Sequence, residues 1–250
     1  MYRVESYPEI QKSFFLLGRN EGASRKLCGK VAIITFFMQR GGVAWKKSSV
    51  DQYYSALNEA ERFLEKSAAK YGTSLEFENY KFMFDIAENA NPNDDFNLIK
   101  DFLRSKTVDE AQNYYEKKLG CDETPFILAY EEEGRSFARS KLSGKYDTQE
   151  CSTVFRRSSG FRWQTLAHEL LHQFGARDLY FPDEISKLAD RYFGSSIMGA
   201  TGDSVDDLTA YIIGWKNTIS AHTYWFLHDS MWYTYDVYRK AVDAEWKKKY

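Results

Sequence analysis

The stretch KVAIITFFM, residues 30–38, limits what this 250-residue chain can fold into more than any other part of it. It is a continuous apolar run rich in branched and aromatic side chains, and it is far too short to span a bilayer as a helix. A strand with no polar face must be covered on both sides. That requirement favours a layered α/β arrangement over a helix bundle or a half-solvated sheet.

The neighbouring patterns supply the layers. After the break RGGVAWKK, the residues Tyr54, Leu57, Phe63, Leu64 and Ala68 recur at helical spacing within residues 50–71, and Gly72 supplies a stop. LEFENYKFMFDI alternates as a second strand does. Asn91-Pro92-Asn93 marks a turn ahead of helical patterns near residues 94–105 and 108–119. PFILAYEEE reads as a third strand, Gly134 turns the chain into a polar, edge-like stretch at residues 136–142, and STVFRR reads as a further strand. Ser158 or Ser159 can cap the helix that comes next.

Beyond residue 178 the character changes. A loop with Pro182 and the glycine-bracketed GSSIMG precede a helix over about residues 205–215, which opens with Ser204 and Asp207 in capping-box spacing. Residues 230–248 place Met231, Tyr235, Tyr238 and Val242 on one helical face, while HTYWFLHD before them is ambiguous.

Composition narrows the functional classes. Hydrophobic residues at 43% and aromatics at 17% argue for a real core and against disorder. A formal net charge of −2 offers no global field for nucleic acid or an anionic membrane, and the basic run at residues 247–249 reads as a solvated tail. No membrane span and no secretory signal can be read, since the apolar FFLLG follows Glu5 and Glu9. Localisation stays open between the cytosol, export without a cleaved signal, and a leader already removed. Three cysteines, Cys28, Cys121 and Cys151, lack paired spacing; their odd number argues against a disulfide framework, and all three read as small buried residues.

The chemistry concentrates in HELLHQFGARD, which holds two of the four histidines. Residues four apart share a helix face, so His168 and His172 can present two imidazole nitrogens to one ion. Glu169 lies about 100° round the helix from His168, beside such an ion, where it can hydrogen-bond a water. Gly175 is placed to end the helix in a left-handed turn, and Asp178 can swing back as a third ligand, leaving a fourth position open as catalytic zinc requires. Against this stands a plainer reading, because Leu166, Leu170, Leu171 and Phe174 make the same helix a good core element. The glycine, the aspartate and a methionine in the later turn SIMG weigh toward the metal.

His168-Glu169-x-x-His172-x-x-Gly175-x-x-Asp178, with Met198 in a later turn, resembles the metzincin clan of zinc endopeptidases, closest to its snapalysin-like bacterial branch with an aspartate third ligand. The resemblance implies a zincin fold of the α/β (α+β) class: a twisted, mostly parallel sheet with an antiparallel edge strand, an active-site helix, and a smaller C-terminal helical lobe. It implies one catalytic domain over residues 1–250, with an upper lobe over about 1–175, a lower lobe over 176–250, and a substrate cleft between them. It also implies that Met198 underlies the metal ligands.

Departures accompany it. No latency segment is evident, and Cys28 lacks the surroundings of the clan's inhibitory cysteine. Position 200, where some members carry tyrosine, is alanine, which leaves Tyr180 and Tyr211 as candidates for stabilising an oxyanion. Asp206 and Asp207 read as helix N-terminal carboxylates rather than ligands, and His222 and His228 as packing or surface residues.

The expected function is zinc-dependent hydrolysis of protein or peptide substrates with Glu169 as general base. The substrate is expected to lie extended along the edge stretch at 136–142. A zinc-containing binding or effector module with little proteolytic activity is the alternative, and a metal-free α/β domain the second. Oligomeric state is not legible.

Overall fold

A computed structural model describes residues 1–94, 96–141, 150–199 and 202–249. Leu142 of the expected edge stretch and Ala200 lie outside the described residues, as do the side chains of the basic tail. The fold is mixed α/β: a five-stranded, mostly parallel sheet with eight α-helices among the described residues.

The apolar run becomes the core of β1 (Gly29–Arg40), which pairs in parallel with β2 (Leu75–Ile86) and with β3 (Phe126–Glu133). Next to β3 runs β5 (Cys151–Arg156), also parallel, and β4 (Phe137–Arg139) closes that end antiparallel to β5, giving the order β2-β1-β3-β5-β4. The two faces of β1 feed two separate cores. Val31, Ile33 and Phe37 pack with α1 (Lys47–Ala69) and α4 (Trp163–Gln173), while Ile34, Phe36 and Met38 pack with α2 (Phe96–Leu103) and α3 (Val108–Leu119). The absence of a polar alternation in β1 follows from this two-sided burial.

The expected elements up to α4 are present, but the caps differ. Neither Ser158 nor Ser159 caps α4: they sit at the exposed tip of a turn closed by Arg157 and Gly160, and Arg162 takes the N-cap position without a side-chain bond. The turn holds the serines too far ahead of the first free helix amides.

The region after residue 178 holds more helix than its pattern suggested. Where a loop with Pro182 was expected, α5 (Asp183–Phe193) follows that proline, with Asp183 and Glu184 in its first turn and Ile185 and Ala189 buried. The next helix, α6, is short (Asp207–Ile212), and its cap is Asp206, whose carboxylate accepts from Thr209 N. Ser204 does not cap it, because its backbone is tied back to Ser195 and Ile197 in the methionine turn. HTYWFLHD resolves as α7 (Ala221–Asp229). The final helix, α8 (Tyr235–Lys249), starts later than expected, so Met231 precedes it and is 42% exposed rather than on a buried face.

All three cysteines are free, but only Cys151 is buried; Cys28 and Cys121 are half-buried. His222 and His228 are exposed. The first thirty residues pack against the C-terminal part of the chain, with Tyr2 and Ile219 exchanging backbone hydrogen bonds and Phe14 edge-on to Tyr233. No described helix is long and apolar enough to cross a membrane.

Candidate metal centre and cleft

Helix α4 lies against α1 and beneath β4 and β5. Leu166, Leu170 and Leu171 anchor it in the core, which turns His168, Glu169 and His172 toward a cleft of about 1000 Å³. The helix is clamped to the sheet by Gln173, which is fully buried. Its Oε1 accepts from Phe126 N, and its Nε2 donates to Phe126 O and Ser152 Oγ; Ser152 Oγ in turn donates to Glu169 O at 2.9 Å.

The helix ends as its glycine foretold. Gly175 has φ +92°, and a Cβ there would meet Gly18 O at 2.4 Å, so both the turn and the close approach of a second chain segment exclude a side chain. The turn brings Ala176 O within 2.8 Å of His172 Nδ1 and returns Asp178 to the imidazoles.

The three expected ligands converge. His168 Nε2 and His172 Nε2 are 3.0 Å apart, and Asp178 Oδ1 lies 3.1 and 3.2 Å from them. A circle through these atoms has a radius of about 1.8 Å, just below the 2.0–2.1 Å usual for bonds from zinc to nitrogen, so all three can reach one ion. Each Nδ1 faces a carbonyl, Ile197 O at 2.9 Å for His168 and Ala176 O for His172. A carbonyl only accepts, so each Nδ1 carries a proton, and Nε2 is the nitrogen of each ring left either to bind an ion or to take a second proton and donate to Asp178. Two lone pairs and an anion aimed at one point repel unless a metal ion or protons on Nε2 join them. The donor set fits a zinc ion.

The charges respond accordingly. Burial alone would lower His168, but the hydrogen bond and charge of Asp178, with Glu169 behind it, raise it to about 9. Burial would raise Asp178, yet the charges and hydrogen bonds of His172 and His168 hold it far below the usual carboxylate range. Glu169, 6% exposed, is pushed up by burial against the pull of both histidines. Its carboxylate can also bring an oxygen within 4.8 Å of the imidazole nitrogens, but Asp178 lies closer to both.

Met198 is fully buried, and its turn holds the site through the backbone: Ile197 O receives His168 Nδ1, and Met198 O receives Leu179 N, beside Asp178. The turn is itself fixed by Ser196, whose hydroxyl accepts from Met198 N and donates to Asp206 Oδ2 at 2.5 Å. Asp206 is thus occupied as cap and turn anchor, away from the imidazoles.

The two tyrosine candidates separate. Tyr180 lines the cleft beside Arg135, with its ring centroid 6.0 Å from that of His168. Tyr211 is buried under the Arg19 guanidinium, 4.0 Å from its ring centroid, and is not among the cleft-lining residues.

Several site residues carried no readable sequence signal. Arg135 and Arg157 enter from turns at the ends of β3 and β5, and Tyr233 and Tyr238 from the C-terminal part. Gln173 was legible in principle, as a polar residue one turn beyond Glu169 on an otherwise apolar helix face.

No protein-family model and no curated protein matches the chain. Among solved structures, one described as "Structure of a chaperone-substrate complex" is similar at 12% identity and a TM-score of 0.34, over 62% of this chain. This chain spans 24% of the length of that one, and a likeness at this level carries no argument about fold or function.

Proposed function

We propose that the chain is a zinc-dependent endopeptidase of metzincin type, with His168, His172 and Asp178 holding the metal and Glu169 as general base. The observation that carries this reading is the convergence of two imidazole nitrogens and a carboxylate within 3.2 Å of one another, on a cleft that a second carboxylate, Glu169, also lines. When bound, zinc would supply a Lewis acid that polarises the scissile carbonyl and acidifies the attacking water.

The chain's own residues do the rest. Glu169, made more basic by its burial, accepts the proton of the attacking water and delivers it to the leaving amine. Tyr180, whose ionisation is opposed chiefly by burial, retains its O–H to donate to the carbonyl oxygen as negative charge develops. The Nδ1 hydrogen bonds hold the imidazoles in the tautomer a metal needs. The substrate backbone pairs with β4, which ends the sheet and lines the cleft through Phe137 and Ala138.

Glu169→Gln tests the reading. The variant should match the parent in zinc content and melting temperature, while cleavage of a proteome-derived peptide library falls by about 10²–10⁴-fold. A parent that carries zinc at full occupancy and cleaves nothing would mark a binding module instead. Equal cleavage by Glu169→Gln would refute the base.

A further inference from the structure

The cleft carries a charge that the chain as a whole does not. Two arms meet at His168 and Glu169, one of about 1000 Å³ and one of about 370 Å³. Arg135 and Arg157 line both arms, Arg177 lines the larger and Arg162 the smaller. Among the described residues, the only carboxylates lining either arm are Glu169 and Asp178. A divalent cation at the proposed centre balances those two, so four guanidinium groups remain as the cleft's net charge, on a chain whose formal charge is −2.

None of the four forms an ion pair among the described residues. Arg135 lies beside Tyr180 on the cleft wall, and Arg177 donates to Ser140 Oγ at 2.9 Å, with its Nε and Nη2 buried and unpartnered among the described residues. Arg135, Arg157 and Arg162 are exposed. Guanidinium groups left without carboxylates on the walls of a cleft focus a positive field into it. Their planar forks match carboxylates two bonds at a time.

We propose that the cleft selects acidic peptides, with aspartate or glutamate on both sides of the cleaved bond, read chiefly by Arg135 and Arg157. The position of these two explains the two-sidedness: each reaches both arms, and the arms part at the general base. Arg162 and Arg177 extend the same field along one arm each. The proposal rests on the peptidase reading for the cut but not for the binding.

The test uses fluorogenic peptide pools of equal length with Glu, Gln or Lys fixed at each of the three positions on either side of a mixed centre. For the zinc-loaded parent, kcat/KM should be at least about tenfold higher for Glu than for Gln pools, as a charge-assisted hydrogen bond implies, and the ratio should shrink with added salt. Arg157→Gln and Arg135→Gln should each reduce the Glu-to-Gln ratio, and Arg157→Lys should restore part of it.

Binding is read separately, by fluorescence anisotropy of labelled Glu and Gln peptides on Glu169→Gln, in which chemistry is blocked. Equal cleavage of Glu, Gln and Lys pools overturns the acidic preference and leaves the peptidase standing. No cleavage of any pool, with tight, arginine-dependent binding of the Glu peptide, overturns the peptidase and leaves the acidic cleft standing. Equal binding of Glu and Gln peptides overturns the inference whatever the cleavage.

Discussion

Replacing Asp178 by alanine removes one corner of the proposed ligand triangle, the oxygen lying 3.1 and 3.2 Å from the two imidazole nitrogens. The remaining nitrogens, 3.0 Å apart, keep their aim, because each ring is held at Nδ1 by a carbonyl the substitution does not touch. What is lost is a ligand, and the frame stays. Structural zinc sites bind with about 10–16 kcal/mol at neutral pH, which over four ligands is roughly 2.5–4 kcal/mol each. The zinc Kd of Asp178→Ala should therefore rise by about 10²–10³-fold. Competition of metal-free protein against a chromophoric chelator measures it, with circular dichroism to establish that the variant is folded. Melting gives an independent reading: zinc at a hundredfold excess over the parent's Kd stabilises the parent by about 2.7 kcal/mol, and the same concentration should barely shift the variant. Asp206→Ala is the control. Its carboxylate is committed to Ser196 and Thr209, so this change should lower the melting temperature while zinc affinity holds. A folded Asp178→Ala protein with the parent's zinc Kd, or an Asp206→Ala protein that loses zinc, would refute the ligand assignment.

Three further outcomes follow from packing and charge. Met198→Leu keeps the volume of a fully buried side chain whose turn acts through its backbone, so zinc content should persist and stability should change by less than about 1.5 kcal/mol; loss of zinc from the folded variant would contradict that. Gln173→Leu strips partners from Phe126 N, Phe126 O and Ser152 Oγ, each at a cost of about 1–3 kcal/mol, and chemical denaturation should register a loss of that order or more. Burial lifts the Glu150 carboxyl to about 7. The folded chain therefore keeps a proton that the unfolded chain releases near 4.3, and stability should fall by about 4 kcal/mol as pH rises through that window. Glu150→Gln keeps an acceptor for Ala23 N and Ser24 N and should flatten that part of the melting curve against pH; an unchanged slope would count against the buried acid.

Short-range features of this chain were legible before any folding. The apolar run of β1 demanded cover on both faces and received it from α1 and α4 on one side and α2 and α3 on the other. The four-residue interval of His168 and His172 set two imidazoles on one helix face, and Gly175 supplied the turn that Asp178 needs. These are properties of a few consecutive residues, decided by helical pitch and by backbone sterics. The helix α5 was legible too, with Ile185, Leu188, Ala189 and Tyr192 in helical spacing, but Pro182 was read as a loop signal where it serves as the N-cap.

Tertiary structure decided what depends on distant partners. Asp206 and Ser204 both suit a cap by residue type; the backbone bonds of Ser204 to the methionine turn left the role to Asp206. Tyr180 and Tyr211 were equal candidates by type, and only packing put one at the cleft and the other beneath Arg19. The gathering of Arg135, Arg157, Arg162 and Arg177 around one site has no local periodicity to announce it. Arg135 and Arg157 share the cleft because they follow β3 and β5, parallel neighbours that end on the same side of the sheet, while Arg162 and Arg177 lie at opposite ends of α4 and reach one arm each; the sheet's strand order, not the order of residues along the chain, sets which ends are neighbours.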